Sequence, residues 1–357
     1  MIFNSNVFLL ARPPHLILWN CETHEQFELS ATYQNRLMQL IRNPKEFDSL
    51  SPIDAEFLST GIIKSAVEND IIWEWDALSK LFHVGTKNIP LDDEPVDSLD
   101  WANQYANHCE EILSKPHPRE SFEQGSETII ALPPPTPKLA DLTDILTSRK
   151  TSRTFYEDSI NLETVASILY YSLGYLRERK DEESKDLATG LDYRRSSPSG
   201  GGLNSTEGYV WAYDVEAIPP AIYYYNPKAH SLEYRSALPS CPIGSLLNGQ
   251  HFVNSLPFGV FLTSRLDKLW WKYEHSRAYR MALVEVGHIA QTFQLLATSN
   301  GLQTWLTGAL NESSIESLIR SETGTEEVLF FVGAGWGDGK AIPAALQTET
   351  KRRVVND

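Results

Sequence analysis

The apolar positions of the chain change period several times, and each change marks an element. VFLLA at 7–11, HLILWN at 15–20 and EQFELS at 25–30 read as short strands around a polar turn at 21–25. TYQNRLMQLIRNP follows, with Leu37, Leu40 and Ile41 at helical spacing and a stop before Pro44. SPIDAEFLSTGIIK repeats that pattern, with Ser51 at the cap and Pro52 at the first helical position. IIWEWDALSKLFHV at 71–84 alternates and predicts a hairpin. Strands, two helices and a hairpin in that order predict a small winged-helix-like module over residues 1–90. Residues 91–140 read as a linker around a short helix at 99–114. They hold the acidic LDDEPVD and the stiff PPPTP at 133–137.

From 141 to 357 the pattern is α+β. LADLTDILTSR and NLETVASILYYSLG are amphipathic helices, the second capped by Asn161 and carrying Val165, Ile168, Leu169 and Ser172 on one face. YVWAYDV, AIYYYNP, FGVFLTSR and EVLFFVGAGWG read as strands. A long helix over 277–299 places Ala282, Val286, Ile289, Phe293 and Leu296 in a core stripe. The charge run RERKDEESKD at 177–186 reads as a solvated loop. GAGWGDG at 333–339 follows a strand but precedes Lys340-Ala341-Ile342-Pro343 rather than a helix, so it fails as a dinucleotide fingerprint.

Charge and cysteine usage narrow the function. The net charge is −16, and residues 1–148 hold 23 acidic against 10 basic residues. Such a surface repels a phosphate backbone, so nucleic acid is excluded as a partner and the front module is expected to dock protein or peptide, or simply to cap the main domain. Cys21, Cys109 and Cys241 lie far apart with no ligand spacing, which argues against a disulfide framework or a zinc site and fits a reducing cytoplasm. No apolar run reaches the length of a membrane span, and MIFNSNVFLLARPPHL lacks the marks of a signal peptide.

Two polar segments carry the candidate chemistry. RRSSPSGGGLN at 194–204 has three consecutive glycines, Gly200 to Gly202, which let a flat or anionic ligand approach the main chain. RKTSRTF at 149–155 places Arg149 and Arg153 four apart, so on a helix start they share a face and fork onto one phosphate. Alone, the first reads as a flexible loop and the second as a solvated basic turn; together they point to a phosphate-bearing, ring-containing cofactor. In WWKYEHSRAYR, burial of Lys272 among Trp270, Trp271 and Tyr273 would depress its pKa toward that of a base. The alternative is an amphipathic lysine beside interfacial aromatics. Glu207 reads as a substrate contact or an arginine partner, His288 as a core histidine and His230 as a turn residue. Arg277 and Arg280 read as salt-bridging residues or cofactor contacts.

The order of R-x-[ST]-x-R-x-F at 149–155, SPSGGG at 197–202, YYYNPKAHSLE at 223–233, Lys272-Tyr273 and VEVGHIAQTF at 284–293 resembles the nitroreductase-fold flavoproteins. Within them it resembles the SagB/ThcOx-type peptide azoline dehydrogenases, over roughly residues 140–357. The resemblance implies a nitroreductase-like antiparallel sheet flanked by helices in an interlocked dimer. It implies FMN, whose single terminal phosphate suits Arg149, Thr151 and Arg153, with Lys351 and Arg353 completing that site. Pro198, Ser199, Gly200, Gly201 and Asn204 are then expected to line the isoalloxazine from the other subunit, and Gly335 to form a glycine turn near the flavin. Lys272 and Tyr273 are implied as the catalytic pair for oxidising a thiazoline or oxazoline of a ribosomally made precursor peptide, beside a cyclodehydratase partner. Two other functions stay open: a general NAD(P)H-dependent nitro- or quinone reductase, and a non-catalytic scaffold of a peptide-modifying complex.

Overall fold

The computed structural model describes residues 2–64, 77–86, 104, 107–108, 110–123, 125–136, 141–177, 193–273, 275–321 and 324–343. The chain divides into two compact units, Met1–Glu94 and Pro95–Asp357.

The first unit opens with β1 (Ile2–Phe3), β2 (Val7–Arg12), β3 (His15–Asn20) and β4 (Gln26–Leu29). Helices α1 (Ala31–Arg42) and α2 (Pro52–Ser59), strand β5 (Ile63–Lys64) and helix α3 (Ala77–Gly85) follow. Strands β2, β3 and β4 form an antiparallel sheet in that order, and β1 pairs with β5. Leu18, Leu29, Leu37, Leu40, Phe57 and Ile63 make the core. Ile41, expected on that face, is exposed. Asp54 on α2 is fully buried and accepts from both Nε and Nη2 of Arg36 on α1 (2.7 and 2.5 Å), which locks the two helices together.

The second half of the hairpin expected over 71–84 is helical instead. Residues 71–76 lie outside the described residues, and 77–84 belong to α3. Leu78, Leu81 and Phe82 stand at i, i+3 and i+4, a helical spacing, and ALSKLF holds no Gly, Pro or Asn to turn a hairpin. Among the described residues the unit is a small sheet module with helices, with α3 where the second half of the hairpin was expected.

The second unit is built on strands β6 (Ile129–Ala131), β7 (Thr206–Ala212), β8 (Ala221–Asn226), β9 (Ser231–Ser236), β10 (Phe258–Arg265), β11 (Gln303–Thr307) and β12 (Glu326–Gly335). They form one seven-stranded sheet in the order β11-β12-β10-β7-β8-β9-β6, with every neighbouring pair antiparallel. The stretch expected to be a linker, 91–140, thus supplies the edge strand β6. Helices are α4 (Leu142–Ser148), α5 (Leu162–Leu173), α6 (Ile243–Leu246), α7 (Leu266–Lys272), α8 (Ala278–Ser299) and α9 (Glu312–Ile319).

Period-two alternation divides the sheet between two cores. Val210, Val260, Leu262 and Val332 face α5 and α8, where Val165, Ile168, Leu169, Val286, Ile289 and Phe293 are buried. Tyr209, Trp211, Phe261 and Phe331 face α6 and α9 through Ile243, Leu246, Ile315 and Ile319. Asn161 caps α5 by accepting from Thr164 N–H at 2.8 Å. Among the described residues, no helix is long and apolar enough to cross a membrane.

Candidate active site

The glycine run sits just ahead of β7 as a single tight turn. Gly201 and Gly202 have φ of 61° and 69°, and Asn204 follows at 48°, so the backbone here is left-handed and admits glycine most readily. A hook on α8 holds this turn. Glu285 is buried; one carboxylate oxygen accepts from Ser199 Oγ (2.6 Å) and the other from Thr206 N–H (2.9 Å). Ser199 Oγ accepts in turn from Asn204 N–H at 2.8 Å. The Asn204 amide donates to the Tyr193 carbonyl at 3.2 Å, and Ser197 meets Thr292 of α8 at 3.0 Å. Ser199, expected to face a flavin, therefore has its hydroxyl engaged both as donor and as acceptor in building the loop.

Helix α7 delivers the lysine–tyrosine pair to the same place. Lys272 is buried and donates from Nζ to the Gly201 carbonyl at 2.9 Å. A Cβ built on Gly201 would lie 2.5 Å from the Tyr273 hydroxyl and 2.8 Å from Lys272 Nζ. Three residues singled out separately in the sequence form one locus, and no side chain fits among them. Trp270, expected to help bury Lys272, is 53% exposed, because it faces away from the side of α7 that carries Lys268, Leu269 and Lys272.

Behind this locus lies a cluster of buried charge. Glu207, 1% exposed, accepts from Lys268 Nζ (3.4 Å) and from the Tyr224 hydroxyl (3.0 Å), and stands 4.0 Å from Arg195. Lys268 also donates to Glu120 at 2.6 Å. Burial, reinforced by Glu207, holds the Tyr224 phenol well above its usual pKa, so it stays a donor. Burial alone would lower the Arg195 pKa, but Tyr175, Glu207 and Glu285 around it raise it instead. Of the two roles read for Glu207, pairing with cations is the one its contacts show.

The basic segment differs from the expected geometry. Arg149 is the C-cap of α4, and the chain beyond it is extended, not helical. Thr151 bridges to Thr304 of β11, Ser152 N–H donates to the Thr304 carbonyl (2.9 Å) and Arg153 N–H to the Lys340 carbonyl (2.8 Å). Alternate residues of extended chain share a side, so Arg149, Thr151 and Arg153 belong together by period two rather than by a helical turn. Arg153 also donates from Nη1 to the Ala341 carbonyl at 2.8 Å. Gly335 is not in a turn. It ends β12 opposite Gln303, and a Cβ there would meet Pro257 at 2.7 Å. The turn comes after it. A Cβ on Gly337 would lie 2.2 Å from the Thr154 carbonyl oxygen, so the glycines of GAGWGDG let the basic segment lie directly against them. Lys351 and Arg353 lie outside the described residues.

These two groups meet α8 on different sides. Glu285 and Thr292, seven apart, share the side that holds the glycine turn. Gln294 donates to Thr304, the residue that bridges to Thr151, and stands about 200° around the helix from Thr292. One chain thus joins the glycine turn to Lys272 and Tyr273, and separately joins RKTSRTF to GWGDGK.

The model of the nitroreductase family matches residues 146–336, more than half of the chain, and takes in RKTSRTF, the glycine turn, Lys272 and Tyr273. This chain belongs to the nitroreductase family. It is 27% identical over 269 residues to the trifolitoxin operon protein TfxC of Rhizobium leguminosarum bv. trifolii, covering 73% of this chain and 71% of that protein. It is 28% identical over 168 residues to the trifolitoxin-processing protein TfxB of the same organism, covering 45% of this chain and 43% of that one. Among solved structures, a candidate nitroreductase from Ralstonia eutropha JMP134 aligns with 63% of this chain and 96% of its own at a TM-score of 0.49 and 22% identity. These findings agree with the resemblance read from the motifs.

Within this family fold, some functional-site residues escaped the sequence reading. Glu285 falls in the stripe that holds Ala282, Val286 and Ile289, and an acid inside an apolar stripe was the available signal. Lys268 had no such mark, because α7 is too short to show a period. His288, read as a core residue, is exposed, since the stripe turns position 288 outward. His230 sits buried in its turn at φ 54°, against the Tyr225 hydroxyl (2.9 Å) and the Pro133 carbonyl (3.1 Å), and burial lowers its pKa.

Proposed function

We propose that this chain is an FMN-dependent dehydrogenase that oxidises thiazoline or oxazoline rings of a peptide to thiazoles or oxazoles. The observation that supports it most is the convergence of Lys272 and Tyr273 on Gly201. A general reductase that only relays electrons needs no buried amine and phenol beside its glycine turn. The relative named for trifolitoxin processing supports a natural product as the material acted on. In this reading a precursor peptide is the substrate and a cyclodehydratase the partner that installs the rings.

The residues fit the cofactor. The left-handed glycine turn leaves main-chain groups uncovered by side chains of its own, which suits a flat ring lying against it, and Arg149, Thr151 and Arg153 beside the glycines of GWGDGK suit one phosphate. Because one chain sets these groups on different sides of α8, the complete site takes each from a different copy of a homodimer. Tyr279, Met281, Leu283 and Val284 leave an exposed apolar surface on α8, and Met281 lies against Gly200. FMN, when bound, supplies an acceptor for the hydride leaving the ring. Lys272 in its neutral form takes the proton from the ring carbon alpha to the carbonyl, and Tyr273 orients that carbonyl through its hydroxyl. The Gly201 carbonyl fixes the amine for this transfer.

An azoline-bearing peptide incubated with the protein and FMN under air should lose the mass of two hydrogens per ring. Flavin bleaching by NADPH with turnover of a nitroaromatic, and no mass change in the peptide, would replace this reading with that of a general reductase. Arg149→Ala and Arg153→Ala should each weaken FMN retention about ten- to hundredfold, since each removes a charge-assisted bond of roughly 1.5–3 kcal/mol. Fluorescence titration with FMN measures this, and unchanged affinity in both would remove the arginines from the phosphate site.

A further inference from the structure

Residues 112–121 precede the stretch matched by the family model, yet they grip helix α7 along its length. At its start, Arg265 donates to Ser121 Oγ (2.7 Å) and to the Arg119 carbonyl (2.9 Å). In the middle, Lys268 donates to Glu120. Near its end, the ring of Trp271 meets that of His117 with centroids 4.7 Å apart. Ile112 is fully buried in the same cluster as Leu203, Leu269 and Trp271.

Helix α7 has seven residues, too few to hold its own conformation or aim. What fixes it must come from outside. Lys268 and Lys272 are four apart and so lie on one side of the helix. The Lys268 ammonium is held by Glu120 from the preceding segment and by Glu207 from β7. Strand β7 is also where the glycine turn ends, because Thr206 is tied to Glu285. The backbone N–H of Arg265 donates to the Ser205 carbonyl at 2.7 Å, which joins the start of α7 to the same point. Pulling on Lys268 therefore moves Lys272 relative to Gly201.

We infer that Glu120 and Lys268 are positioning residues: their buried pair holds α7 so that Lys272 and Tyr273 meet Gly201. The catalytic meaning rests on the reading of Lys272 as the base, but the geometry can be tested without it. The experiment uses the full-length protein with Glu120→Gln, and the double variant Glu120→Gln/Lys268→Met, which removes both charges of the pair and leaves Glu207 with Tyr224 and Arg195. Acetic anhydride labelling followed across pH by mass spectrometry gives the rate and titration midpoint of the Lys272 amine. Labelling of the Cys241 thiol, which lies beside Trp211 and Ile243 at the opposite end of β7 from Glu207, reports general loosening.

Either variant should label Lys272 faster and with a displaced midpoint while Cys241 stays as in the wild type. On an azoline peptide, kcat should fall about a hundredfold with KM little changed, the cost of a misplaced group. Wild-type labelling of Lys272 in a folded variant would overturn the inference, as would an equal change at Cys241. Should the single variant fail to fold, the double variant decides by the same criteria. Absence of azoline turnover in the wild type would defeat the dehydrogenase reading alone, and the labelling result would still stand or fall separately.

Discussion

Replacing Lys272 by methionine should cut turnover of an azoline peptide by about 10²–10⁴-fold, the range for losing a positioned general base. Methionine keeps most of the buried volume of the side chain but has no amine to take the ring proton. The Gly201 carbonyl loses its donor in this variant, at a cost to stability of about 1 kcal/mol. FMN affinity should stay close to that of the wild type, because RKTSRTF is untouched. Turnover by peptide mass and affinity by flavin fluorescence separate the two effects. Wild-type turnover in Lys272→Met would remove the base role from Lys272 and overturn the assignment of this site.

The second large effect is on stability. Glu207→Ala should lower the unfolding free energy of the second unit by about 3–5 kcal/mol, the penalty for breaking a buried ion pair from one side. The substitution strips Lys268 of one carboxylate, leaves Arg195 without its nearest acid, and orphans the Tyr224 hydroxyl. All of these groups are nearly inaccessible to water, so solvent cannot compensate. Glu207→Gln should cost less, since an amide still accepts from Tyr224 and Lys268. Urea midpoints of the three proteins measure the order, and equal midpoints for Glu207→Ala and wild type would show that the cluster contributes nothing net.

How far the sequence could be read depended on the length of each pattern. The long helix α8 and the strands around Val210, Val260 and Val332 showed their period over enough residues to be placed correctly. Short or mixed segments misled. IIWEWDALSKLFHV holds alternation at its start and helical spacing at its end, and the described half follows the helical part. Arg149 and Arg153 were set four apart on a helix, whereas pairing with Thr304 and Lys340 keeps that stretch extended. A helix and an extended chain both put these residues on a common side, so the grouping survives although its cause changes.

The site shows the same division. Lys272, Tyr273 and Gly201 carried their chemistry in their residue types, and the structure sets them together. Glu120, Lys268 and Glu285 did not, because their roles exist only through partners distant in the chain. Lys268 and Glu120 are 148 positions apart, and Glu285 and Ser199 are 86 apart. A charged residue on a short element gives no local sign that it will be buried and paired.

That separation has a consequence for how the protein is made. Glu120 and Ser121 leave the ribosome long before Arg265 and Lys268 exist, so during synthesis their eventual partners are missing and the acid must wait in water. Contacts so far apart form late, because the intervening chain has to be ordered before the loop can close at tolerable entropic cost. The strands between them, β7 to β10, are that intervening chain. Only when β10 has joined β7 does α7 arrive where Glu120 can take its lysine. Assembly of the sheet comes first, and the aim of α7 is set last.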